Sequence, residues 1–353
     1  MTMRNTVSVN SLLWTRRLGV LSLGVGLLTV AICGKVGAAT TPNGEIAGLE
    51  AKFVDVEGIR ARYYDMGEGE PLVLLHGSGM AGVSTANNWS KNIPELSKQF
   101  RVIALDRLGV GLTGNPLRDE DYGFEGEVKF LYDFVQTMEL GKIHIAGNSY
   151  GAAVSFLFAV AHPDMVKTLI LVGPGPHEPP MGPTQDSGCP RNPPFEAAKC
   201  RSMANVVNPD EAYEEDYFDA AKYMFELPKA VEARVKDDAG VGRREDLAAW
   251  LQAQRDRVQN DGVLQMPILV YRAKQDRSDW LASDPAPKMQ KAIAMFEILG
   301  AKNPNVQMII MNNARHFMYR DRPELFNQDV INFITYWNQH PADTSTSLSR
   351  ASQ

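Results

Sequence analysis

A serine flanked by glycines, in the run Gly147-Asn148-Ser149-Tyr150-Gly151, stands where a β-branched, alternating segment beginning at Lys142 gives way to apolar residues at helical spacing that end before Pro163. A G-x-S-x-G run at a strand-to-helix junction makes a nucleophile elbow. The tight turn lifts the serine Oγ above the sheet, and the residues two before and two after it must be small so that strand and helix can approach. The helix N-terminus beneath favours developing negative charge. A serine hydroxyl is a weak nucleophile until an imidazole takes its proton and a carboxylate orients that imidazole.

Six histidines are available. His144 lies inside a predicted strand, His162 ends a helix before Pro163, His177 opens a proline-rich stretch, and His340 is near the C-terminal end. His316, in "MNNARHFMYRDRPE", follows the last predicted strand and is the candidate base. Asp276, in "KQDRSDW" after the strand "PILVYRA", is the candidate acid. Asp279 is a near competitor on loop register, and Glu178, after the preceding strand, a more remote one. The chain order Ser, Asp, His is the one found with a strand–elbow–helix nucleophile. "LLHGSG" ends an earlier strand, and backbone N–H groups of Ser78 and Tyr150 are the candidate oxyanion donors. His76, Gly77, Gly79 and Asn148 are the candidate substrate contacts around them.

These residues need a scaffold that gathers them at one edge. Two half-exposed, antiparallel strands turn at Glu57-Gly58, and apolar strands follow at Leu72–Leu75, Arg101–Asp106, the segment leading to Ser149, Thr168–Gly173, Pro267–Ala273 and Val306–Asn312. Helical patterns occupy Trp89–Leu96, Phe124–Leu140, the segment after Ser149, Pro287–Leu299 and Pro323–Trp337. Continuous apolar strands alternating with helices predict a mostly parallel sheet covered on both faces. From Pro174 the chain turns rich in proline and glycine, and charged amphipathic helices with no β signal run to about Gly262. The expected division is a core over 40–175 and 263–340, a helical cap over 176–262 inserted after the sixth strand, and a polar tail over 341–353. The cap leaves and re-enters the sheet at the carboxyl ends of strands, where such sheets bind ligands.

Residues 1–39 carry Arg4, Arg16 and Arg17, then the apolar run Leu18–Cys33, then Gly37-Ala38-Ala39, which predicts a secretory signal peptide; an N-terminal membrane anchor is the alternative. The expected location is periplasmic or secreted, with no stable membrane association after cleavage. Removing the four basic residues of 1–39 takes the formal net charge from −6 to −10, so the surface repels phosphate backbones, and nucleic acid is excluded as a substrate. Cys189 and Cys200, eleven residues apart, predict a disulfide in an exported chain, with two unpaired thiols as the alternative. No H-E-x-x-H, C-x-x-C or G-x-G-x-x-G element stands in a metal or nucleotide context, and no cofactor is expected.

From about Phe53 to Trp337 the chain resembles the α/β-hydrolase superfamily. The segments "HGSGMAGVSTANNWSKNIPELSKQFRVIALDRLGVGLTGNP" and "GNSYGA" look most like those of the meta-cleavage-product (carbon–carbon bond) hydrolases and related lidded serine esterases. The resemblance implies a Ser149, Asp276, His316 triad, a cap over the pocket and no metal. Ser149 stands where epoxide hydrolases and haloalkane dehalogenases carry Asp, which excludes their alkyl-enzyme route. Arg315 stands where many relatives have Gly, and Phe317 where carbon–carbon hydrolases often have Trp. The expected function is therefore an exported serine hydrolase cleaving a small to medium, mostly apolar carboxylic ester or related acyl compound. The alternatives are hydrolysis of a carbon–carbon bond beside a ketone with the same triad, assisted by Asn148 and by Arg191 or Arg201, and a non-catalytic binding protein on the same fold.

Overall fold

The computed structural model describes residues 44–46, 48–80, 82–180, 188–275 and 286–342. The segment 1–39, the polar tail from 343, and both Asp276 and Asp279 lie outside the described residues.

Eight strands form one sheet in the order β1-β2-β4-β3-β5-β6-β7-β8. β1 (Lys52–Val56) and β2 (Ile59–Met66) pair antiparallel, and β2 pairs antiparallel with β4 (Arg101–Leu105). From β4 onward every pairing is parallel, through β3 (Pro71–Leu75), β5 (Ile143–Asn148), β6 (Val166–Val172), β7 (Ile268–Ala273) and β8 (Val306–Met311). The central strands are apolar throughout because both faces are covered. Leu72, Leu74, Ala146 and Ile170 face one layer with Trp89 and Phe326, while Val73, Leu75, Ile145 and Leu171 face the other with Phe134 and Phe156. Alternate side chains of each strand thus feed two cores.

Helix α1 (Phe124–Thr137) and α2 (Tyr150–Ala161) pack on the second face. Between β6 and β7 the chain is helical, with α3 (Pro194–Ala204), α4 (Tyr217–Glu226), α5 (Pro228–Asp238) and α6 (Leu247–Asp256), and no strand occurs among the described residues there. α7 (Ala286–Gly300) and α8 (Pro323–Gln339) flank β8.

Two expected helices are broken. The segment Trp89–Leu96 is a 3-10 turn at Ala86–Trp89 followed by a single turn at Ile93–Leu96. Asn92 stands at the break, its amide committed to the Tyr319 carbonyl (3.0 Å) and to Asn327 (2.8 Å) instead of solvent. The acidic run from Asp210 to Leu227 is also divided, at Tyr213, whose buried hydroxyl bonds the Ser202 carbonyl at 2.9 Å and so holds the chain out of helix.

Candidate active site

β5 ends in Asn148, and Ser149 follows with φ 54° and ψ −112° before α2 begins. This is a sparsely populated conformation for a residue with a Cβ, held because the surroundings over-determine it. A Cβ on Gly147 would lie 2.2 Å from the Gly151 carbonyl oxygen, and one on Gly151 would lie 2.4 Å from that of His76. The two glycines are therefore a packing requirement of the elbow. Ser149 N–H donates to the Val172 carbonyl at 2.9 Å, anchoring the turn to β6.

His316 reaches the same edge from the loop after β8, and the residue is 4% exposed. It lies over Gly173, where an added Cβ would come within 3.2 Å of its Nδ1 and Cε1. The Asn148 amide donates to the carbonyls of Val172 (3.1 Å) and His316 (3.4 Å), so the residue beside the nucleophile holds the backbone of the histidine. Arg315, the departure noted above, ties this turn to the cap: its guanidinium donates to the carbonyls of Val206 (2.9 Å) and Ala204 (3.4 Å) at the end of α3. Gln275, the last described residue before Asp276, donates its N–H to the Ala314 carbonyl at 3.2 Å. The loop that carries the candidate acid thus starts two residues from His316. Glu178, the remote alternative, is buried and ion-paired with Arg272.

Ser78 has φ 61°, and its loop is pinned from behind by Arg107, whose guanidinium donates to the Ser78 carbonyl and, at 3.1 Å, to that of His76. The same guanidinium bonds Glu127 at 2.6 Å and lies 4.5 Å over the Tyr150 ring, which stacks on Phe124. One buried cation therefore braces both segments that supply the candidate oxyanion donors. Sequence reasoning gave Arg107 no role; the signal was an arginine placed directly after a predicted strand, where a solvated side chain has little room.

Two of the expected substrate contacts are corrected. His76 is fully buried, its Nε2 accepting from the Arg107 N–H and its Nδ1 donating to the Gly77 carbonyl; burial, reinforced by the Arg107 charge, pushes its pKa down to about 3. Asn148 is fully buried behind Ser149. Both side chains are engaged beneath the site, His76 by backbone groups and Asn148 by the Val172 and His316 carbonyls and, through its oxygen, by the Tyr319 hydroxyl at 3.5 Å. Gly77 packs on Asn148 and Ser149, whereas Gly79 does line the pocket.

Two cavities meet at Ser149. The first, about 270 Å³, is walled by Ser78, Arg201, Ser202, Asn205, His316 and Phe317. The second, about 350 Å³, is walled by the prolines after β6, Leu251 of α6, Glu178 and Arg255. Arg201, on α3, has no acidic partner among the described residues, and desolvation lowers its pKa. Arg191 is exposed. A disulfide joins Cys189 to Cys200, the residue before Arg201.

The chain matches the model of the alpha/beta hydrolase fold over residues 70–323. It is 40% identical to 2-hydroxy-6-oxo-6-(2'-aminophenyl)hexa-2,4-dienoic acid hydrolase of Metapseudomonas resinovorans over 35% of this chain, spanning 41% of that relative's length. It is 29% identical to 2-hydroxy-6-oxononadienedioate/2-hydroxy-6-oxononatrienedioate hydrolase of Paraburkholderia xenovorans, over 81% of this chain and 96% of the relative. The structure of the meta-cleavage product hydrolase from Pseudomonas fluorescens IP01 superposes with a TM-score of 0.65 at 21% identity, covering 82% of this chain and 98% of that one. An elbow serine, a histidine turn and a braced Gly-Ser loop at the carboxyl edge of this sheet agree with that match over more than half the sequence, and the chain belongs to the α/β-hydrolase family, where it resembles the meta-cleavage product hydrolases.

Proposed function

We propose that the protein is a serine hydrolase that cleaves a carbon–carbon bond beside a ketone, in a substrate whose departing fragment carries a carboxylate. The observation that carries this reading is Arg201, a guanidinium without an acidic partner among the described residues, on the wall of the cavity shared by Ser149 and His316. A carbanion leaves only if an electron sink is bound and polarised, and an arginine beside the nucleophile supplies that charge. Ser149 Oγ attacks the ketone carbon as His316 takes its proton, with Asp276 holding the imidazole tautomer. The carbon–carbon bond then breaks with its electron pair on the departing fragment, which takes up a proton. Water hydrolyses the acyl-enzyme and releases the acid. The relatives named for dienoate hydrolysis support this reading over the ester expected from sequence.

Ester cleavage is the second reading, and Asn148 favours it: its amide is spent on backbone carbonyls and offers no group to a carbanion sink. Export belongs to the same proposal, supported by the basic, apolar and small-residue pattern of 1–39 and by the disulfide. The test is turnover of a 6-oxo-dienoate acid against a chain-length series of aryl esters, in wild type and in Arg201→Ala and Arg191→Ala. The expected result is preference for the dienoate, lost by about tenfold or more in Arg201→Ala, as for a lost charge-assisted contact, and unaffected in Arg191→Ala. Faster turnover on every ester, indifferent to Arg201, returns the assignment to the ester.

A further inference from the structure

His316 stands between two residues that are both fastened to the cap. Before it, the Arg315 guanidinium donates to the carbonyls of Val206 (2.9 Å) and Ala204 (3.4 Å). After it, the Phe317 N–H donates to the Asn205 carbonyl at 3.0 Å. Asp321 closes the clasp: one carboxylate oxygen accepts from the Val207 N–H at 2.7 Å, and the other from the Arg315 N–H at 2.8 Å. Every residue from Ala204 to Val207 is thus bonded to the histidine turn. From the core, the Asn148 amide reaches the His316 carbonyl at 3.4 Å. Farther along, the buried Arg320 ties the turn to both sides, donating to the carbonyls of Ala212 (2.9 Å) in the cap and Asn88 (2.7 Å) in the core. A guanidinium at a helix C-terminus can serve merely to satisfy the last helical carbonyls. That accounts for Ala204, where α3 ends, but not for Val206 and Val207 beyond the helix, nor for the bonds made by Phe317 and Asp321. The fastened element also borders the reaction: Arg201, Ser202 and Asn205 wall the cavity shared by Ser149 and His316.

We infer that the general base is positioned from the cap: Arg315 and Asp321 are positioning residues that lock the His316 turn to 204–207, so this part of the cap is required for proton transfer from Ser149 and not only for enclosing the substrate. The inference rests on the reading of Ser149 and His316 as nucleophile and base, but not on which bond is cleaved. The imidazole must sit within hydrogen-bond reach of the hydroxyl it deprotonates. Misplacing a reacting group by about 1 Å costs on the order of 10² in rate. With both neighbours of His316 bonded to the cap, a shift of 204–207 is carried directly to the ring. A glycine at 315, as in many relatives, would offer no side-chain donor to make that connection.

The rate at which a fluorophosphonate modifies Ser149 reads this step whatever the substrate: Oγ bonds to phosphorus, fluoride leaves and the hydroxyl proton passes to His316. The full-length wild type is compared with Arg315→Ala, Arg315→Lys, Asp321→Asn and Lys229→Met, at a temperature where denaturant titration shows each to be folded. Lys229 is the control, because its ammonium clasps α5 to the carbonyls of Gly109 (3.2 Å) and Thr113 (2.6 Å), away from the neighbours of His316. Arg315→Ala and Asp321→Asn should react roughly 10- to 100-fold more slowly. Arg315→Lys should recover part of the loss, since an ammonium still donates to one carbonyl, and Lys229→Met should react at the wild-type rate. On any ester or dienoate that the wild type turns over, kcat should fall by the same factor with little change in KM, as for an interaction realised in the transition state. A wild-type rate in either Arg315→Ala or Asp321→Asn overturns the inference, and so does a rise in KM at constant kcat. Equal slowing in Lys229→Met also overturns it, by assigning the effect to the cap at large. If Arg315→Ala does not fold, Asp321→Asn, which keeps the side-chain volume, decides by the same criterion. A wild type that resists the probe refutes the reading of Ser149 as nucleophile, and the inference with it.

Discussion

The same two strands carry two histidine constellations, one at each end. At their amino ends, His144 of β5 accepts from the Thr168 hydroxyl of β6 at 2.9 Å through Nδ1 and donates to Glu70 at 2.9 Å through Nε2. At their carboxyl ends, β5 delivers Ser149 and β6 delivers Gly173, over which His316 lies. By hydrogen-bond order the first set is as complete as a catalytic triad. What it lacks is everything else: Thr168 sits in regular strand at 1% exposure, borders neither cavity at Ser149, and has no helix N-terminus behind it. Ser149 has a strained backbone, opens a helix of 12 residues and borders two cavities. A hydroxyl, an imidazole and a carboxylate in line make a nucleophile only where substrate can reach them and charge can be stabilised.

The strongest way to break this contrast is to remove each hydroxyl in turn. Ser149→Ala should lower turnover on the order of 10⁶-fold, by analogy with measured serine-triad deletions, while Thr168→Val should leave kcat within about twofold, because it changes no group at the reacting edge. Asp276→Asn should keep the fold and cost on the order of 10⁴ in kcat through the wrong histidine tautomer. A loss of that size in Asp279→Asn, or in Glu178→Gln with Asp276→Asn active, would move the acid.

Bracing of the oxyanion segments is the next point of difference, since nothing at the amino end resembles it. Arg107→Met removes one partner of a buried ion pair with Glu127, both nearly inaccessible. Breaking such a pair costs about 3–5 kcal/mol, and the freed Ser78 loop should lower kcat more than it raises KM. Denaturant unfolding and steady-state kinetics on the one variant separate the two effects. Unchanged kcat at reduced stability would confine Arg107 to a structural part.

Ser149, His316 and the parallel sheet were legible in the sequence because each is written locally: an elbow needs its two glycines, and buried strands read as apolar runs. Arg107 was not, since its four contacts lie 20 to 43 residues away along the chain. The inward turn of Arg201 was equally hidden. α3, "PFEAAKCRSMA", has no clean apolar stripe to show which face is buried, and the burial of Phe195, Ala197, Ala198 and Ser202 follows from packing on α4 and the histidine turn. His76 and Asn148 were misjudged for the opposite reason. Their motif positions are adjacent to the reaction, but their side chains point beneath it.

The disulfide bears on the carboxyl end alone. It closes a loop of separation 11 that ends at Cys200, so the residue following it, Arg201, is held at the cavity wall. In the chain-entropy model a bridge of this span stabilises by about 2–3 kcal/mol. Cys189→Ser with Cys200→Ser should lower the unfolding free energy by that amount, as read by denaturant titration with and without reductant on the wild type. It should also raise KM for a carboxylate-bearing substrate more than for a neutral ester. An equal rise for both would detach the bridge from Arg201.

The smallest effect is expected at Glu70, and its sign is fixed by two pKa shifts. Partial burial opposes its ionisation, but hydrogen bonds from Lys167 and His144 prevail and hold the Glu70 carboxyl down at about 2. A carboxylate depressed on folding contributes stability that is complete above its unfolded value, about 4.3, and is lost as pH falls toward 2. His144 is lowered chiefly by burial, against the pull of Glu70, so the native state prefers it neutral; that preference stabilises above its unfolded value, about 6.5, and fades below it. Both act in the same direction, and stability should fall on acidification in two steps. Because Glu70 is 40% exposed, its ion pairs with Lys167 and His144 are screened, and Glu70→Gln should cost under about 1 kcal/mol at neutral pH. The variant should lose the lower acid step, keep the upper one and retain its turnover. Thermal unfolding followed from pH 8 to pH 3 reads both steps, and a Glu70→Gln protein with intact stability but reduced kcat would show that the amino-end constellation communicates with Ser149 along β5 and is not the inert counterpart described above.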